Sequence, residues 1–246
     1  MTEPTPSPLT TAASRTRIKI CGLTREADVD AAVASGADAV GFVMYSRSPR
    51  HVSPQRAGML ARRLPPLVTP VLLFVNSHAP EIEAASRYIP GATLQFHGDE
   101  SAADCAAPAL AIGRPFWRAA RIPVHGNPDF NLVDFAQEFH QAQAILLDAH
   151  VDGYGGGGKT FNWSRLPPSV PAHLVLSGGL TPANVGDGMR ALRGRGYSLA
   201  VDVSSGVEAE GPNGQPLKGI KDAAKIHHFV AAVRAADAHF AGHPIP

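Results

Sequence analysis

A single (β/α)8 barrel is the fold this sequence predicts: an α/β TIM barrel with a parallel eight-stranded core, preceded by a disordered N-terminal tail. Three observations lead to it. Short apolar runs alternate eight times with Ala-rich amphipathic stretches between residue 17 and the end of the chain, the pattern of βαβ crossovers and a parallel sheet. No Gly-x-Gly-x-x-Gly follows the first run, where Cys21-Gly22-Leu23-Thr24 stands instead, so an open doubly wound sheet with a dinucleotide fingerprint is disfavoured. Runs also end in a reactive side chain or a Gly-rich turn, and the C-terminal strand ends of such barrels are where their chemistry sits.

The elements follow in order. Strands are expected at Arg17–Cys21, Ala39–Met44, Pro70–Val75, Ala92–Phe96, Pro115–Ile122, Ala144–Asp148, His173–Ser177 and Ser198–Val203. Helices are expected at Glu26–Ser35, Pro54–Leu64, Pro80–Tyr88, Ala102–Ile112, Asp129–Ala142 and Pro182–Leu192, and Lys218–Ala235 closes the barrel. One unit is degenerate: a Gly-rich stretch follows the sixth strand, and Pro167-Pro168 leaves little room for a full helix. No linker or composition shift marks a second domain, so the division is tail 1–16 and catalytic barrel 17–246.

Bulk properties narrow the function. The 246 residues carry a net charge of +1, which provides no global attraction to nucleic acid or to an acidic membrane. No apolar run approaches the roughly 18 residues of a membrane span. The tail is rich in Pro, Thr and Ser and lacks the apolar centre of a secretory signal. Only Cys21 and Cys105 occur, without metal-like spacing, so free thiols in a reducing cytoplasm are expected. No exposed apolar stripe stands out, which predicts a monomer.

Cys21 and Asp148 end the first and sixth strands, and a thiol and a carboxylate delivered to one barrel mouth make a candidate base and acid. Strand alternation puts Lys19 on the face of Cys21, and Ala200 on that of Asp202. First and last strands are neighbours in a closed barrel, so a Lys19–Asp202 ion pair is expected inside. It is either purely structural or a means by which Lys19 lowers the Cys21 pKa. Two Gly-rich turns, Ser177-Gly178-Gly179-Leu180-Thr181-Pro182 and Asp202-Val203-Ser204-Ser205-Gly206-Val207, end strands seven and eight, where barrels of this kind bind phosphate. Thr181 is the expected N-cap there and Pro182 the first helical residue. Arg47 and Arg50, in a Pro-stiffened loop after strand two, are candidates for holding a carboxylate. His97, ending Gln95-Phe96-His97-Gly98, is read as a positioning or structural residue rather than a catalytic one. Cys105 reads as a small core residue, and His227 and His228 receive no role.

Gly153-Tyr154-Gly155-Gly156-Gly157-Gly158-Lys159-Thr160 matches the nucleotide-binding P-loop pattern. That motif acts only where a strand passes directly into a helix, and here Asp148 to Gly153 intervene while Pro167-Pro168 follow. A glycine-hinged lid over the site is the preferred reading.

Taken together, Lys19-Ile20-Cys21-Gly22-Leu23-Thr24, Ser35 to Phe42, Ser48-Pro49-Arg50, Gln95-Phe96-His97-Gly98, Leu147-Asp148, Gly155 to Phe161 with Trp163, Leu176 to Leu180 and Val201 to Glu208 resemble the phosphoribosylanthranilate isomerases of tryptophan biosynthesis. The resemblance spans residues 17 to 235. It implies an Amadori rearrangement of N-(5-phosphoribosyl)anthranilate to a 1-deoxyribulose 5-phosphate, without metal or cofactor. It assigns the general acid to Asp148, the general base to Cys21, and the anthranilate carboxylate to Arg50. The phosphate falls to Gly178, Gly179, Ser204, Ser205 and Gly206; His97 and Asp202 are further candidate substrate-binding residues. An acid bearing its proton at neutral pH calls for a raised carboxyl pKa at Asp148 and a lowered thiol pKa at Cys21. Asn162 stands where the family usually has aspartate. Alternatives are another phosphosugar barrel, either a ribose-amine isomerase of histidine synthesis or indole-glycerol-phosphate synthase, and a nucleotide-binding switch built on Gly153–Thr160.

Overall fold

Eight parallel strands close into a barrel in chain order, β1 pairing with both β2 and β8. The computed structural model describes residues 15–123, 130–150 and 160–242. The strands are β1 (Arg17–Cys21), β2 (Ala39–Val43), β3 (Thr69–Phe74), β4 (Thr93–Phe96), β5 (Phe116–Pro123), β6 (Ala144–His150), β7 (His173–Leu176) and β8 (Ser198–Val203). Around them lie α1 (Glu26–Ala34), α2 (Pro54–Ala61), α3 (Ala79–Ser86), α4 (Ala102–Ala111), α5 (Leu132–Glu138), α6 (Val185–Leu192) and α7 (Ala223–Ala241).

Period-two alternation divides every strand between two cores. One set, including Ile18, Ile20, Phe42, Leu72, Phe74 and Phe96, faces the helices and joins the large outer core. Each such side chain contributes about 1.5–3 kcal/mol by leaving water. The other set points inward: Ala119, Ala144, Leu146 and Val175 form one interior cluster, and Cys21, Val43, Leu73 and Val75 another nearer the mouth. Small residues prevail there because Lys19 and Gln95, both buried, fill the axis as well.

Helix starts obey capping chemistry. The Ser53 side chain accepts from the Arg56 N–H ahead of Pro54, and Asn131 caps α5, which begins three residues after the expected Asp129. The degenerate sixth unit is one 3₁₀ turn, Trp163–Arg165, capped by the Asn162 side chain.

Three expectations need correction. Thr181 and Pro182 do not begin α6: the Asn184 side chain accepts from Thr181 N–H and donates to Gly179 carbonyl, forming a turn that delays the helix to Val185. Lys218 is not helical. Pro216–Lys221 is a strand, β10, antiparallel to β9 (Glu208–Glu210), and Gly219 within it has φ +83°, a left-handed conformation incompatible with a helix. Asp222 caps α7 instead, accepting from Lys225 N–H. Finally, β6 continues past Asp148 to His150 because β5 stays paired with it through Pro123.

The chain just before β1 is tied to the barrel. Thr16 donates its N–H and hydroxyl to Asp237 of α7, and Arg15 pairs with Asp38.

Candidate active site

Cys21 and Asp148 open onto the same mouth from β1 and β6, three strands apart around the ring through β8 and β7. Both are buried. Beside Cys21 the barrel is charged. Lys19 Nζ lies 2.9 Å from Asp202 Oδ1, with Lys19 and Asp202 in register across β1 and β8, so the ion pair expected from alternation is present. The second Asp202 oxygen accepts from Ser177 hydroxyl at 3.4 Å. Burial acts to lower the Lys19 pKa, but Asp202 and then Cys21 outweigh it and raise the pKa above its ordinary value.

For the thiol the expected direction reverses. Burial pushes the Cys21 pKa above its ordinary value, and the opposing Lys19 ammonium does not fully offset it because Asp202 acts against the thiolate. Sequence spacing placed the ammonium correctly; the desolvation of the thiol was not legible from it.

Glycines make room for this arrangement. A Cβ at Gly41 would stand 2.7 Å from Cys21 Sγ, and one at Gly22, whose φ is +75°, would stand 2.7 Å from Arg50 Cδ. Arg50 is buried while Arg47 is exposed, so the structure separates the two loop arginines. Arg50 forks onto Glu208, Nε to Oε1 at 2.7 Å and an Nη to Oε2 at 2.8 Å. Glu208 also accepts from Gly219 N–H at 2.8 Å. Burial would raise its pKa, but the Arg50 hydrogen bonds, the Lys221 charge and the Gly219 N–H carry it below the ordinary value.

The acid side is built differently. His97 Nε2 lies 2.8 Å from Asp148 Oδ2, and His97 Nδ1 lies 3.0 Å from Gln95 Nε2, giving a buried chain along β4 and across to β6. The other oxygen, Oδ1, faces the Gly178 turn: a Cβ at Gly178 would lie 2.8 Å from it and 2.5 Å from Ala149 N. Only a residue without Cβ, at φ +77°, lets that turn approach the carboxylate. Arg118 of β5 anchors the loop after β4, donating to the carbonyls of Phe96, Gly98 and Glu100 and to the Glu100 carboxylate. Glu100 in turn accepts from the Asn76 and Gly98 N–H groups.

The turns after β7 and β8 touch. A Cβ at Gly206 would meet the Leu180 carbonyl oxygen at 1.9 Å, so the Gly178–Gly179 and Ser204–Gly206 segments form one glycine-lined wall beside Asp148. The Gly153–Lys159 segment of the P-loop-like motif lies outside the described residues. The element that follows it is the 3₁₀ turn at Trp163–Arg165 and not an α-helix. Among the described residues no group of three or more His, Cys, Asp or Glu side chains gathers as metal ligands do, and no helix is long and apolar enough to cross a membrane.

Sequence reasoning missed Gln95, Glu100, Arg118, Glu208 and Lys221. Only β4 alternation, which puts Gln95 on the face of His97, could have signalled one of them; the rest depend on contacts between segments far apart in sequence.

Residues 18–232 match the family model described as N-(5'phosphoribosyl)anthranilate (PRA) isomerase. A protein of Leptothrix cholodnii named N-(5'-phosphoribosyl)anthranilate isomerase is 59% identical over 225 residues, covering 92% of this chain and 94% of its own length. One of the same name from Methylibium petroleiphilum is 58% identical over 231 residues, covering 94% and 100%. The crystal structure of phosphoribosyl anthranilate isomerase from Thermotoga maritima has TM-score 0.72 and 36% identity, over 89% of this chain and 99% of that one. A further structure, of such an isomerase in complex with reduced 1-(o-carboxyphenylamino)-1-deoxyribulose 5-phosphate, has TM-score 0.68 and 34% identity over the same shares.

Proposed function

The chain belongs to the N-(5'-phosphoribosyl)anthranilate isomerase family, and on that premise we propose how its own residues divide the work. The protein isomerises N-(5'-phosphoribosyl)anthranilate in tryptophan biosynthesis. The observation that carries the mechanism is the delivery of one thiol and one carboxylate to the same mouth, beside a wall of glycine turns.

Asp148 is the general acid. One oxygen is held by His97, which leaves Oδ1, next to Gly178, to present a proton to the furanose ring oxygen. As that bond breaks, the anilino nitrogen pushes its lone pair into C1 and the ring opens to an iminium. The iminium acidifies the C2 hydrogen. Cys21, as thiolate, removes it, and the electron pair moves through C1 onto nitrogen to give an enolamine. Reprotonation at C1 and collapse of the C2 enol yield the ketone, so no atom is gained or lost. The Gly178–Gly179 and Ser204–Ser205–Gly206 turns hold the phosphate through backbone N–H groups. Arg50, oriented by Glu208, faces the anthranilate carboxylate, and Asp202 holds Lys19 beside the base while lining the sugar site.

The protein acts without metal or cofactor, as a monomer in the cytoplasm. Among the described residues the large exposed apolar side chains, Met59, Leu67, Tyr88, Leu110 and Tyr197, are spread over separate elements, which supports the monomer; sedimentation velocity at micromolar concentration tests it by returning a single species of one-chain mass.

A substrate panel tests the functional reading. Wild-type protein should quench the fluorescence of N-(5'-phosphoribosyl)anthranilate generated in situ and bind neither ATP nor GTP with Mg²⁺. Turnover of the ribose-amine substrate of histidine synthesis alone, or tight nucleotide binding, would overturn it.

A further inference from the structure

The β9–β10 ribbon lies outside the strand–helix repeat, yet its ends place two charges at the site. The side chains of Glu208 and Lys221 are fully buried. Burying an ion costs several kcal/mol unless hydrogen bonds replace its water, so a buried lysine needs an account. Neutralising Glu208 does not supply one, because Arg50 already pairs with that carboxylate through two bonds. The closest contact of Lys221 Nζ is elsewhere: it donates to the Ser204 carbonyl at 2.9 Å and the Ser204 hydroxyl at 3.3 Å, with Glu208 Oε1 at 3.4 Å. Around Cys21 and Ser204 the buried cations Lys19, Arg50 and Lys221 outnumber the carboxylates Asp202 and Glu208. With Cys21 held as a thiol in the free enzyme, the site thus has one positive charge in excess, beside the turn assigned to phosphate.

We propose that Lys221 is a positioning residue for the substrate phosphate. Acting through Ser204, it fixes the Ser204–Gly206 turn, and it supplies the positive charge that a bound phosphate neutralises. The inference rests on the phosphate assignment of that turn under the proposed function. Lys221 does not itself touch the substrate. Burial brings its ammonium down to about 8 despite the opposing Glu208 carboxylate, as expected for a charge that awaits a partner.

Inorganic phosphate is the probe, with Lys221→Met as the variant. The KM for N-(5'-phosphoribosyl)anthranilate and the competitive inhibition constant of phosphate should rise together, about tenfold, the size of one charge-assisted hydrogen bond. The kcat should stay within about threefold, since the lost interaction is made equally in ground and transition states. A folded variant with both constants unchanged, or a fall in kcat at constant KM, would overturn the proposal. Wild-type protein supplies a second readout that does not depend on the variant folding. The Lys221 side-chain nitrogen is titrated by NMR with and without phosphate. Glu208, Arg50, Cys21 and Ser204 surround Nζ, while Asp28 and Arg25 bind its backbone. A rise in pKa of about one unit on phosphate binding is expected, and no change would contradict the proposal. Failure of the wild type to consume substrate would instead sink the functional reading itself.

Discussion

Cys21 lies in the field of the buried charges Lys19, Asp202 and Lys221, with the Arg50–Glu208 pair beside Lys221, whereas Asp148 meets an imidazole, the amide behind it and a glycine turn. The two groups are three strands apart in one barrel, so the contrast is local. A thiol must be persuaded to ionise, and charge is the available lever at a buried site. A carboxyl that donates to a ring oxygen must point correctly, and hydrogen bonds to its other oxygen set direction. The base side is therefore tuned by electrostatic balance and the acid side by orientation. Removing one member of the first should cost stability; disturbing the second should cost rate.

The largest effect expected from that contrast is at Glu208. Glu208→Ala leaves Arg50 and Lys221 buried without their shared carboxylate and should destabilise the fold by about 3–5 kcal/mol, read from chemical denaturation. His97→Ala on the acid side should cost no more than about 1–3 kcal/mol; the reverse ranking would break the comparison.

Gly178→Ala tests orientation. The added methyl meets Ala149 N and Asp148 Oδ1 and should lower kcat/KM on the order of 10²-fold by displacing the acid. A melting temperature shift with unchanged kinetics would show that the close approach has no catalytic consequence.

The pH profile sharpens the base side. Because burial raises the Cys21 pKa, the free enzyme holds a thiol at neutral pH, and the thiolate fraction grows as pH rises. The kcat/KM, which reports the free enzyme, should climb about tenfold per pH unit up to about pH 8, above which Lys221 loses the charge proposed to hold the phosphate and the climb flattens. A plateau already reached at neutral pH would mean that Lys19 wins over burial.

The smallest effect concerns Asn162, whose side chain accepts from Ser164 N–H and hydroxyl. Asn162→Ala should cost about 1 kcal/mol, the worth of a typical cap. Asn162→Asp should be nearly neutral, since either side chain caps a turn equally well.

Much of this was legible in the sequence, for physical reasons. Strands β1 and β6 announce themselves as apolar runs ending near Cys21 and Asp148, and alternation alone put Lys19 against Asp202. The turns after β7 and β8 are visible because glycine pairs have few other uses. What stayed hidden depends on contacts distant along the chain. Pro216–Lys221 reads as the start of a helix until its pairing with Glu208–Glu210 and the left-handed Gly219 are seen. Arg50 looks unpaired until Glu208, far along the chain, folds under it. The direction of the thiol pKa depended on burial depth, which no spacing reveals.

The most direct test of the central claim removes each reacting group alone. Cys21→Ala and Asp148→Asn are compared with wild type by following the loss of N-(5'-phosphoribosyl)anthranilate fluorescence, with circular dichroism to confirm folding. The account predicts that each folded variant loses about 10²–10⁴-fold in kcat, the usual worth of a positioned acid or base. Near wild-type turnover in either folded variant would contradict it and remove that residue from the reaction.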